Sequence, residues 1–439
     1  MYSVGLDVGT TSCKICVLSS STNEQKHLVF TEQLAHEAHI TQNDKPSFDE
    51  QCPLKIFEIV NSLLEKSGCF RDDFSIKSIQ ISGQMHGLVF WSSKSPETIF
   101  SPLITWQDQR CSTEFLASLD SSLKHLRTGY GLATLLWLID QQKTQDDQLM
   151  KYDRAGTIAD YVVARLCRDS IGESQISTQM ATSWGAQDNQ WPVQHRLLPK
   201  IVEPGTVYGY WKKDVPVYVA LGDLQCSVFS CQPKDHEGIV NLSTSAQLAL
   251  IVDKQENAQG DQLSSSMRVP YFQSKDLLVA ASLNGGNVLS AFVRLIYSWQ
   301  TSLNTESPIT IDQIWSRLIQ FALQSSSTTT TLEHFSAALF GERHDPSLSA
   351  FITNIRSMNL FQLNDIGLVF RSICHWIIHN LFEMLGENTS QIEGIIGTGS
   401  ALMRNQILQN ELNEKVNGSI KYNENSDAAY GAALFALKQ

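Results

Sequence analysis

The hydrophobic pattern in the first half of the chain alternates short apolar runs with longer segments of helical spacing. Apolar runs predict strands at residues 2–6, 15–18, 27–33, 76–81 and 217–220. Apolar residues three and four positions apart predict helices at about residues 53–66, 133–142 and 158–166. The first of these helices ends shortly before Gly68, a residue type that is frequent just after helices. Alternation of strands and helices is typical of an α/β fold.

The pattern starts again after the polar break Gln232-Pro233-Lys234-Asp235. Strands predicted at residues 238–242 and 248–252 flank the hydroxyl-rich turn Ser243-Thr244-Ser245. The chain begins with the same order of strand, hydroxyl-rich turn and strand, which indicates an internal duplication. We therefore predict one domain at residues 1–234 and a second domain at residues 235–439.

Three later segments add further predicted elements. Residues 394–396 are predicted to form a strand that leads into the glycine-rich turn Gly397-Thr398-Gly399-Ser400, with a helix beginning near Met403. The Ser/Thr run at residues 325–331 is predicted to be a loop before a strand at residues 335–340. The small side chains at residues 427–433 predict a helix that packs closely on its neighbour, beneath a nucleotide.

Composition narrows the class of protein. The 439 residues have a formal net charge of −12 and a pI near 5.4, which argues against binding of nucleic acid or of an anionic membrane surface. No run approaches the roughly 20 apolar residues of a membrane-spanning helix, and a strand stands where a signal peptide would begin. Nine scattered cysteines fit reduced thiols, so we expect a cytoplasmic protein. Cys13 and Cys16 lack the second pair of a metal site and are expected to be buried thiols.

The segment from Asp7 to Lys14 is predicted to be a phosphate-binding β-hairpin. Its turn, Gly9-Thr10-Thr11-Ser12, combines a glycine that permits a tight backbone with hydroxyl and N–H groups that can bind an anion. Asp7 lies where a carboxylate could hold a hydrated magnesium ion against phosphate oxygens. The Gly-Lys-Ser/Thr signature of a P-loop is absent from the sequence.

Asp223 is the candidate catalytic base. It follows a predicted strand and opens a predicted helix, after Gly222 and before Leu224-Gln225. In phosphoryl transfer to an alcohol, such a carboxylate orients the hydroxyl group and accepts its proton late. The alternative interpretation is an ordinary aspartate at a helix N-terminus, which is much commoner at such a position.

Two further segments are candidates for a polyol site. Ser82-Gly83-Gln84-Met85-His86-Gly87 ends a predicted strand, and ligands bind at such strand ends in α/β sheets. Thr105-Trp106-Gln107-Asp108-Gln109-Arg110 combines an aromatic ring with a carboxylate and a guanidinium group. For the first segment, the alternative is a polar loop that binds no ligand. For the second, it is a surface turn with a core tryptophan.

His36-Glu37-Ala38-His39 lacks the spacing of an HExxH zinc helix and has a strand-like pattern.

Six segments taken together resemble the FGGY carbohydrate kinases of the actin-like ATPase superfamily. They follow the family's order along essentially the whole chain: Asp7-Val8-Gly9-Thr10-Thr11-Ser12, Gly83-Gln84-Met85-His86-Gly87, Gly222-Asp223, Ser243-Thr244-Ser245, Gly341-Glu342-Arg343 and Gly397-Thr398-Gly399-Ser400. Within the family, residues 82–91, 105–108, 110–111, 114–119, 221–225 and 281–288 are most similar to the sedoheptulokinase branch. Xylulokinases share Gln-Met-His-Gly but usually have asparagine where this chain has Leu224.

The resemblance implies an α/β protein with two ribonuclease-H-like (actin-like ATPase) domains and a cleft between them. The sugar would lie on the first domain and ATP largely on the second, and the reaction would phosphorylate a primary hydroxyl of sedoheptulose with ATP and Mg²⁺. The partner would be a small-molecule ketose, with no nucleic acid or membrane, and the protein would be a monomer or homodimer. Another ketose kinase, of the xylulose or ribulose type, and a non-catalytic ATP-binding protein of the actin or chaperone type are the alternatives.

The resemblance also implies a role for each matching residue. Asp223 would be the base, and Asp7 and Asp223 would hold magnesium through water. Gln84, Met85, His86, Trp106 and Asp108 would join Asp223 around the ketose. ATP would contact Thr10, Thr11, Ser12, Lys14, Thr244, Ser245, Gly285, Gly286, Gly399, Ser400 and Asn405. Ser243 and Thr398 stand where many relatives have glycine, so their contacts with ATP are expected to differ.

Overall fold

The computed structural model divides the chain into two compact units. The first unit comprises Met1–Gln232, Pro270–Phe272 and Ser426–Gln439, and the second comprises Pro233–Val269 and Gln273–Asn425. The residues that the structure describes are 1–20, 26–41, 44–71, 74–142, 148–167, 173–212, 214–254, 265–303, 309–324, 332, 335–342, 344–353, 365–424 and 426–439.

Residues 2–230 contain the strands and helices of the first unit except its C-terminal helix. The strands are β1 (Tyr2–Val8), β2 (Ser12–Ser20), β3 (Lys26–Ala35), β4 (His39–Ile40), β5 (Glu50–Gln51), β6 (Ile76–Gly83), β7 (Val89–Trp91), β8 (Leu103–Ile104), β9 (Arg154–Gly156), β10 (Gln175–Ser177), β11 (Lys200–Val202), β12 (Val207–Trp211), β13 (Val215–Tyr218) and β14 (Leu221–Gly222). The α-helices are α1 (Pro53–Lys66), α2 (Thr113–Ser118), α3 (Gly131–Gln142), α4 (Ile158–Leu166), α5 (Thr178–Trp184) and α6 (Asp223–Ser230).

The rest of the chain contains the elements of the second unit and one final helix. Its strands are β15 (Glu237–Leu242), β16 (Ala246–Asp253), β17 (Ser266–Pro270), β18 (Lys275–Ser282), β19 (Phe335–Ser336), β20 (Phe351–Ile352), β21 (Gly394–Thr398) and β22 (Ser419–Tyr422). Its α-helices are α7 (Gly286–Leu303), α8 (Ile311–Gln324), α9 (Ile366–Leu385), α10 (Ser400–Arg404), α11 (Gln406–Lys415) and α12 (Ala428–Lys438).

The main sheets of the two units repeat one arrangement of strands. In the first sheet, of order β12-β13-β6-β1-β2-β3, β1 pairs antiparallel with β2 and parallel with β6, and β2 pairs antiparallel with β3. In the second sheet, of order β17-β18-β16-β15-β21-β22, β15 pairs antiparallel with β16 and parallel with β21, and β16 pairs antiparallel with β18. Each unit therefore begins with a hairpin that occupies the same place in its sheet, as the repeated sequence pattern predicted.

The C-terminal helix α12 corrects the predicted division of the chain. The chain passes into the second unit after Gln232, close to the predicted boundary at 234, but Ser426–Gln439 returns to the first unit. The reason is steric: a Cβ atom on Gly5 of β1 would lie 2.1 Å from the carbonyl oxygen of Ala429 and 2.3 Å from the amide nitrogen of Ala433. The small residues of α12 therefore serve close packing on β1, which is the part of the prediction that the structure confirms.

Most predicted elements are present, with a few differences in extent. The helices predicted at residues 53–66 and 158–166 have those bounds, while the strand predicted at 217–220 overlaps only the end of β13, and residues 219–220 lie between β13 and β14. The strand predicted at 335–340 is limited to β19, and the helix predicted near Met403 is broken by Asn405, which caps the N-terminus of α11. The predicted loop at residues 325–331 and Arg343 lie outside the described residues.

Each unit has its own hydrophobic core. Val4, Leu6 and Ile15 of the N-terminal hairpin are fully buried in the first core, and Leu242, Leu248 and Phe370 are buried in the second. Every one of the nine cysteines lies in a described part of the chain and is a free thiol, with Cys13 and Cys16 both buried. Among the helices that the structure describes, none has the length and apolar character needed to cross a bilayer.

Candidate active site

Two aspartates meet at one edge of the sheet in the first unit. Asp7 of β1 lies opposite Ser82 of β6, and Ser82 lies opposite Leu221 of β14. Because parallel strands have their carboxyl ends at the same sheet edge, Asp223, which follows β14 directly, is brought towards Asp7. The Ser82 hydroxyl donates a hydrogen bond of 3.0 Å to Asp7 Oδ1.

The environment of these aspartates disfavours their charged forms. Burial raises the pKa of Asp7 to about 7, and the negative charges of Asp223 and Asp427 add to this effect. The hydrogen bond from Ser82 and the charge of Lys14 act in the opposite direction. Burial likewise raises the pKa of Asp223 to about 6, although its Oδ1 accepts a 2.7 Å hydrogen bond from the Leu224 amide.

The chemistry of these donors fits a magnesium ion held through water. Mg²⁺ prefers oxygen ligands, keeps several of its waters and relieves repulsion between neighbouring carboxylates. Within the described ranges, no three His, Cys, Asp or Glu side chains converge as direct ligands of one metal.

The turn between β1 and β2 contains the residues that were predicted to contact phosphate. The Gly9 amide donates to the Ser12 carbonyl oxygen at 3.0 Å and closes the turn. The Thr10 hydroxyl accepts a 3.1 Å hydrogen bond from Trp106 Nε1, so a predicted phosphate residue and a predicted sugar residue are in contact. The Lys14 ammonium group lies 2.7 Å from Asp427 Oδ2, the residue that caps α12.

Met85 and His86 lie where the strands of this site end. A Cβ atom on Gly222 would lie 2.8 Å from Met85 Sδ, so the thioether borders the residue that precedes Asp223. His86 has a left-handed backbone with φ of 73° and stacks on Tyr130 at a centroid distance of 4.9 Å. Its Nδ1 lies 2.7 Å from the Ser183 carbonyl oxygen and therefore donates the proton in that hydrogen bond.

Gln84 and Asp108, which the sequence predicted to contact the sugar, are both buried. Gln84 is 3% exposed and Asp108 is 1% exposed. The Asp108 carboxylate accepts hydrogen bonds from Arg110 Nε at 2.8 Å and Nη2 at 2.9 Å, and from the Asp49 amide at 2.8 Å. The Asp108 carboxylate thus connects Arg110 with the Asp49 backbone, and the sugar contacts of Gln84 and Asp108 stay predictions.

The hairpin of the second unit is built closely against two glycine-containing segments. The Ser243 and Thr244 carbonyl oxygens accept hydrogen bonds from the amides of Gly286 and Asn287, at 2.9 and 3.0 Å. A Cβ atom on Gly285 would lie 2.5 Å from the carbonyl carbon of Ser245. A Cβ atom on Gly399, whose φ is 96°, would lie 2.3 Å from the Leu242 carbonyl oxygen. These positions require glycine and bring the two segments to the hairpin.

A cavity of about 1010 Å³ opens beside this hairpin, entirely within the second unit. Of the predicted ATP contacts, Thr244, Gly286, Ser400 and Asn405 line it, while Ser245, Gly285 and Gly399 do not. Its size and its mixed polar and apolar lining suit a nucleoside. Sequence analysis missed Arg294, Trp315 and Arg404, which also line the cavity but belong to three different helices without a shared motif.

Glu342 is a further residue that sequence analysis left without a role. Its carboxylate is 1% exposed and accepts hydrogen bonds from the Leu283 amide at 3.1 Å, Asn284 Nδ2 at 3.0 Å and Asn380 Nδ2 at 2.9 Å. The Ser282 hydroxyl donates to it as well. Glu342 thus holds the segment that leads into Gly285 and Gly286 at the cavity.

Comparison with known proteins agrees with this architecture. Residues 2–230 match the N-terminal domain of the FGGY family of carbohydrate kinases. The chain is 36% identical to a sedoheptulokinase from Homo sapiens over 480 residues, covering 99% of this chain and 97% of the relative, and 36% identical to one from Mus musculus over 478 residues, with the same coverage. The crystal structure of a ligand-bound xylulose kinase from Lactobacillus acidophilus shares the fold, with a TM-score of 0.77 at 21% identity over 100% of this chain and 89% of that chain. The chain belongs to the FGGY family of carbohydrate kinases and is a sugar kinase that uses ATP.

Proposed function

We propose that this kinase transfers the γ-phosphate of ATP to the terminal primary hydroxyl of sedoheptulose, giving sedoheptulose 7-phosphate and ADP. The choice of substrate rests on the two relatives named sedoheptulokinase, which match along almost the whole chain. We also propose that the protein acts in the cytoplasm, as its nine free thiols would allow, and that it is a monomer or homodimer.

The position and pKa of Asp223 carry the proposed mechanism. A general base works best when its pKa lies near the working pH, and burial raises the pKa of Asp223 to about 6. At pH 7 most of the carboxylate is therefore ionised and can accept the proton of the sugar hydroxyl. The hydrogen bond from Leu224 holds one carboxylate oxygen, which orients the group at the N-terminus of α6.

Other residues of the first unit would act around the transferred phosphoryl group. Backbone and hydroxyl groups of the turn Gly9-Thr10-Thr11-Ser12 would bind its oxygens, and Lys14 would add positive charge near them. Asp7 and Asp223 would hold hydrated Mg²⁺, which when bound neutralises charge on the phosphates. The Lys14 ammonium group is paired with Asp427, so its effect would be electrostatic unless that ion pair opens.

The ketose would meet Met85, His86 and Trp106. The Trp106 ring is 38% exposed and offers an apolar face to sugar carbons. The Nδ1–H of His86 is used by Ser183, which fixes the tautomer and leaves Nε2 as the acceptor nitrogen of the neutral ring. Gln84 and Asp108 would act by holding the loops, consistent with their burial.

An ADP-release assay with a panel of ketoses tests the proposal. We expect the wild-type protein to turn over ATP with sedoheptulose and the isosteric Asp223→Asn variant to lose this activity by about 100-fold or more, as general bases contribute 10²–10⁴-fold. Asp153→Asn, at an aspartate remote in sequence and bonded to Ser93, is the control and should retain activity. Sugar-dependent turnover that survives in Asp223→Asn would contradict the assignment of the base.

The same panel decides between sedoheptulose and a pentulose. Xylulose and ribulose kinases are the alternative within the family, since the Gln84-Met85-His86-Gly87 segment is shared with xylulokinases. A higher kcat/KM for xylulose or ribulose than for sedoheptulose would replace the proposed substrate and leave the kinase mechanism intact.

A further inference from the structure

The turn of the N-terminal hairpin is held from outside the hairpin at successive carbonyl groups. The Gly9 carbonyl oxygen lies 3.3 Å from His36 Nε2 and accepts a 3.4 Å hydrogen bond from Gln84 Nε2. The Thr10 carbonyl oxygen accepts a 2.8 Å hydrogen bond from Gln51 Nε2. The next carbonyl group, of Thr11, accepts a 3.2 Å hydrogen bond from the His36 amide. Three consecutive peptide groups of the turn are thus anchored.

The anchoring side chains also support one another. Gln84 Nε2 lies 3.3 Å from Gln51 Oε1, so the two amide groups are linked. All three side chains are buried, with His36 5%, Gln51 4% and Gln84 3% exposed. Water therefore does not compete strongly for these hydrogen bonds, and each orients the turn more firmly than an exposed one would.

The hydrogen bonds of His36 define its tautomer. The Ala38 amide donates to His36 Nδ1 at 3.1 Å, so Nδ1 carries a lone pair and Nε2 carries the proton. Nε2 therefore donates to the Gly9 carbonyl oxygen. Burial lowers the pKa of His36, although the hydrogen bond to Gly9 acts against it, and this favours the neutral ring that the geometry requires.

Anchored carbonyl groups fix the direction of the amides that follow them. In a trans peptide the C=O and N–H bonds point to opposite sides of one plane. The amides of Thr10, Thr11 and Ser12 therefore point away from the residues that bind the Gly9, Thr10 and Thr11 carbonyl groups. Successive N–H groups with a common direction form an anion-binding concavity.

We propose that His36, supported by Gln51 and Gln84, is a positioning residue that aims the amides of the β1–β2 turn at the transferred phosphoryl group. This inference rests on the proposed function, because it needs this turn to bind that group during the reaction. It gives a role to the segment His36-Glu37-Ala38-His39, whose spacing excluded a zinc helix. It also assigns Gln84 to support of the β1–β2 turn instead of contact with the sugar.

Two substitutions of His36 test the hydrogen bonds of Nε2 and of Nδ1 separately. His36→Gln keeps a side-chain donor at the distance of Nε2, so it can still reach the Gly9 carbonyl oxygen. His36→Asn keeps only a polar atom at the distance of Nδ1, so it can serve Ala38 but not Gly9. If His36 acts through its hydrogen bond to Gly9, His36→Gln should retain activity and His36→Asn should lose it. If His36 only supports its own loop through Ala38, the reverse result is expected.

Kinetic constants and nucleotide affinities provide the readout. For His36→Asn we expect kcat/KM for ATP to fall about 5- to 10-fold, the effect of one lost hydrogen bond. The dissociation constant of a non-hydrolysable ATP analogue should rise while that of ADP stays unchanged, because the turn meets the terminal phosphate. KM for the ketose should stay near its wild-type value. The control His39→Asn changes an exposed neighbouring histidine, with 58% of its side chain accessible, and should match the wild type.

The outcomes distinguish this inference from the proposed function. A wild-type protein that releases no ADP with any ketose would contradict the proposed function. If the wild-type protein is active, two results would overturn the positioning role alone. One is a His36→Asn variant as active as the wild type, and the other is activity that asparagine retains and glutamine does not. If His36→Asn does not fold, Gln51→Met removes the donor to Thr10 at nearly constant volume and should show the same ATP-selective loss; an unchanged Gln51→Met would overturn the inference.

Discussion

Replacing Asp7 by asparagine should stabilise the first unit at neutral and alkaline pH while it lowers kinase activity. The wild-type carboxylate lies near two other carboxylates, those of Asp223 and Asp427, and all three effects of burial and charge raise its pKa. Asparagine has the same shape without the charge. Its side-chain oxygen can still accept the hydrogen bond that Ser82 donates to Asp7 Oδ1.

The size of the effect follows from the pKa. A pKa of about 7 in place of 3.8 corresponds to about 4 kcal/mol of destabilisation once Asp7 is ionised in both states, at 1.36 kcal/mol per pKa unit. Asp7 keeps an intermediate exposure, so solvent screening reduces this figure. We therefore expect Asp7→Asn to raise the free energy of unfolding by about 1–3 kcal/mol at pH 8.

The pH dependence has a defined sign. The folded-state pKa lies above the unfolded-state value, so the penalty is complete above pH 7, shrinks as the pH falls and vanishes below about 3.8, where Asp7 is neutral in both states. Thermal unfolding at pH 8, 6 and 4, without Mg²⁺ or nucleotide, should show a gain in melting temperature of roughly 2–4 °C per kcal/mol at pH 8. At pH 4 the two proteins should unfold at nearly the same temperature.

Asp153 offers a control of opposite sign. Burial acts to raise its pKa, but hydrogen bonds from Ser93 lower it, so Asp153→Asn should destabilise at pH 8 and have little effect at low pH. An Asp7→Asn protein that is less stable than wild type at pH 8, or equally stabilised at pH 8 and pH 4, would refute the account of the carboxylate cluster.

Three further predictions concern packing, the cavity of the second unit and pH. Gly5→Ala should abolish folding or lower the melting temperature strongly, measured by the yield and thermal unfolding of the purified protein, because its Cβ would overlap the backbone of Ala429. Glu342→Gln turns an amide donor towards Asn284 and the other donors, so KM for ATP should rise several-fold in steady-state assays while KM for the ketose stays unchanged. The kcat/KM of the wild-type kinase should fall tenfold per pH unit below about pH 6, as Asp223 becomes protonated, and a profile that stays flat to pH 5 would contradict its role as base.

Much of the fold could be predicted because it depends on local patterns. The bounds of α1 follow from apolar residues at helical spacing and from Pro53 at its first position, both of which are visible in the sequence. The two hairpins, β1–β2 and β15–β16, were predicted from apolar runs around hydroxyl-rich turns. The strand predicted at residues 335–340 was longer than the observed β19. The reason is that a compact apolar segment has the same pattern whether or not a partner strand accompanies it.

The site was predictable in its residue types but less so in their partners. Motif order predicted roles for Asp7, Asp223 and the glycine-containing segments, and the structure places Gly286 and Ser400 at the cavity of the second unit. The burial of Gln84 and Asp108 was not predictable, because a buried amide or carboxylate has the same sequence signal as an exposed one. Trp315 was missed for a related reason, since a cavity lined by separate helices leaves no contiguous motif.

The sequence by itself determined that the chain is an α/β sugar kinase with two repeated hairpins, because strand periodicity and short motifs are properties of neighbouring residues. Tertiary structure alone decided which distant residues meet. It returned α12 to the first unit, paired Lys14 with Asp427 413 positions later, and placed His36 and Gln51 on the turn between β1 and β2. Such contacts depend on the packing of whole elements, where steric fit and burial select partners that no local pattern encodes.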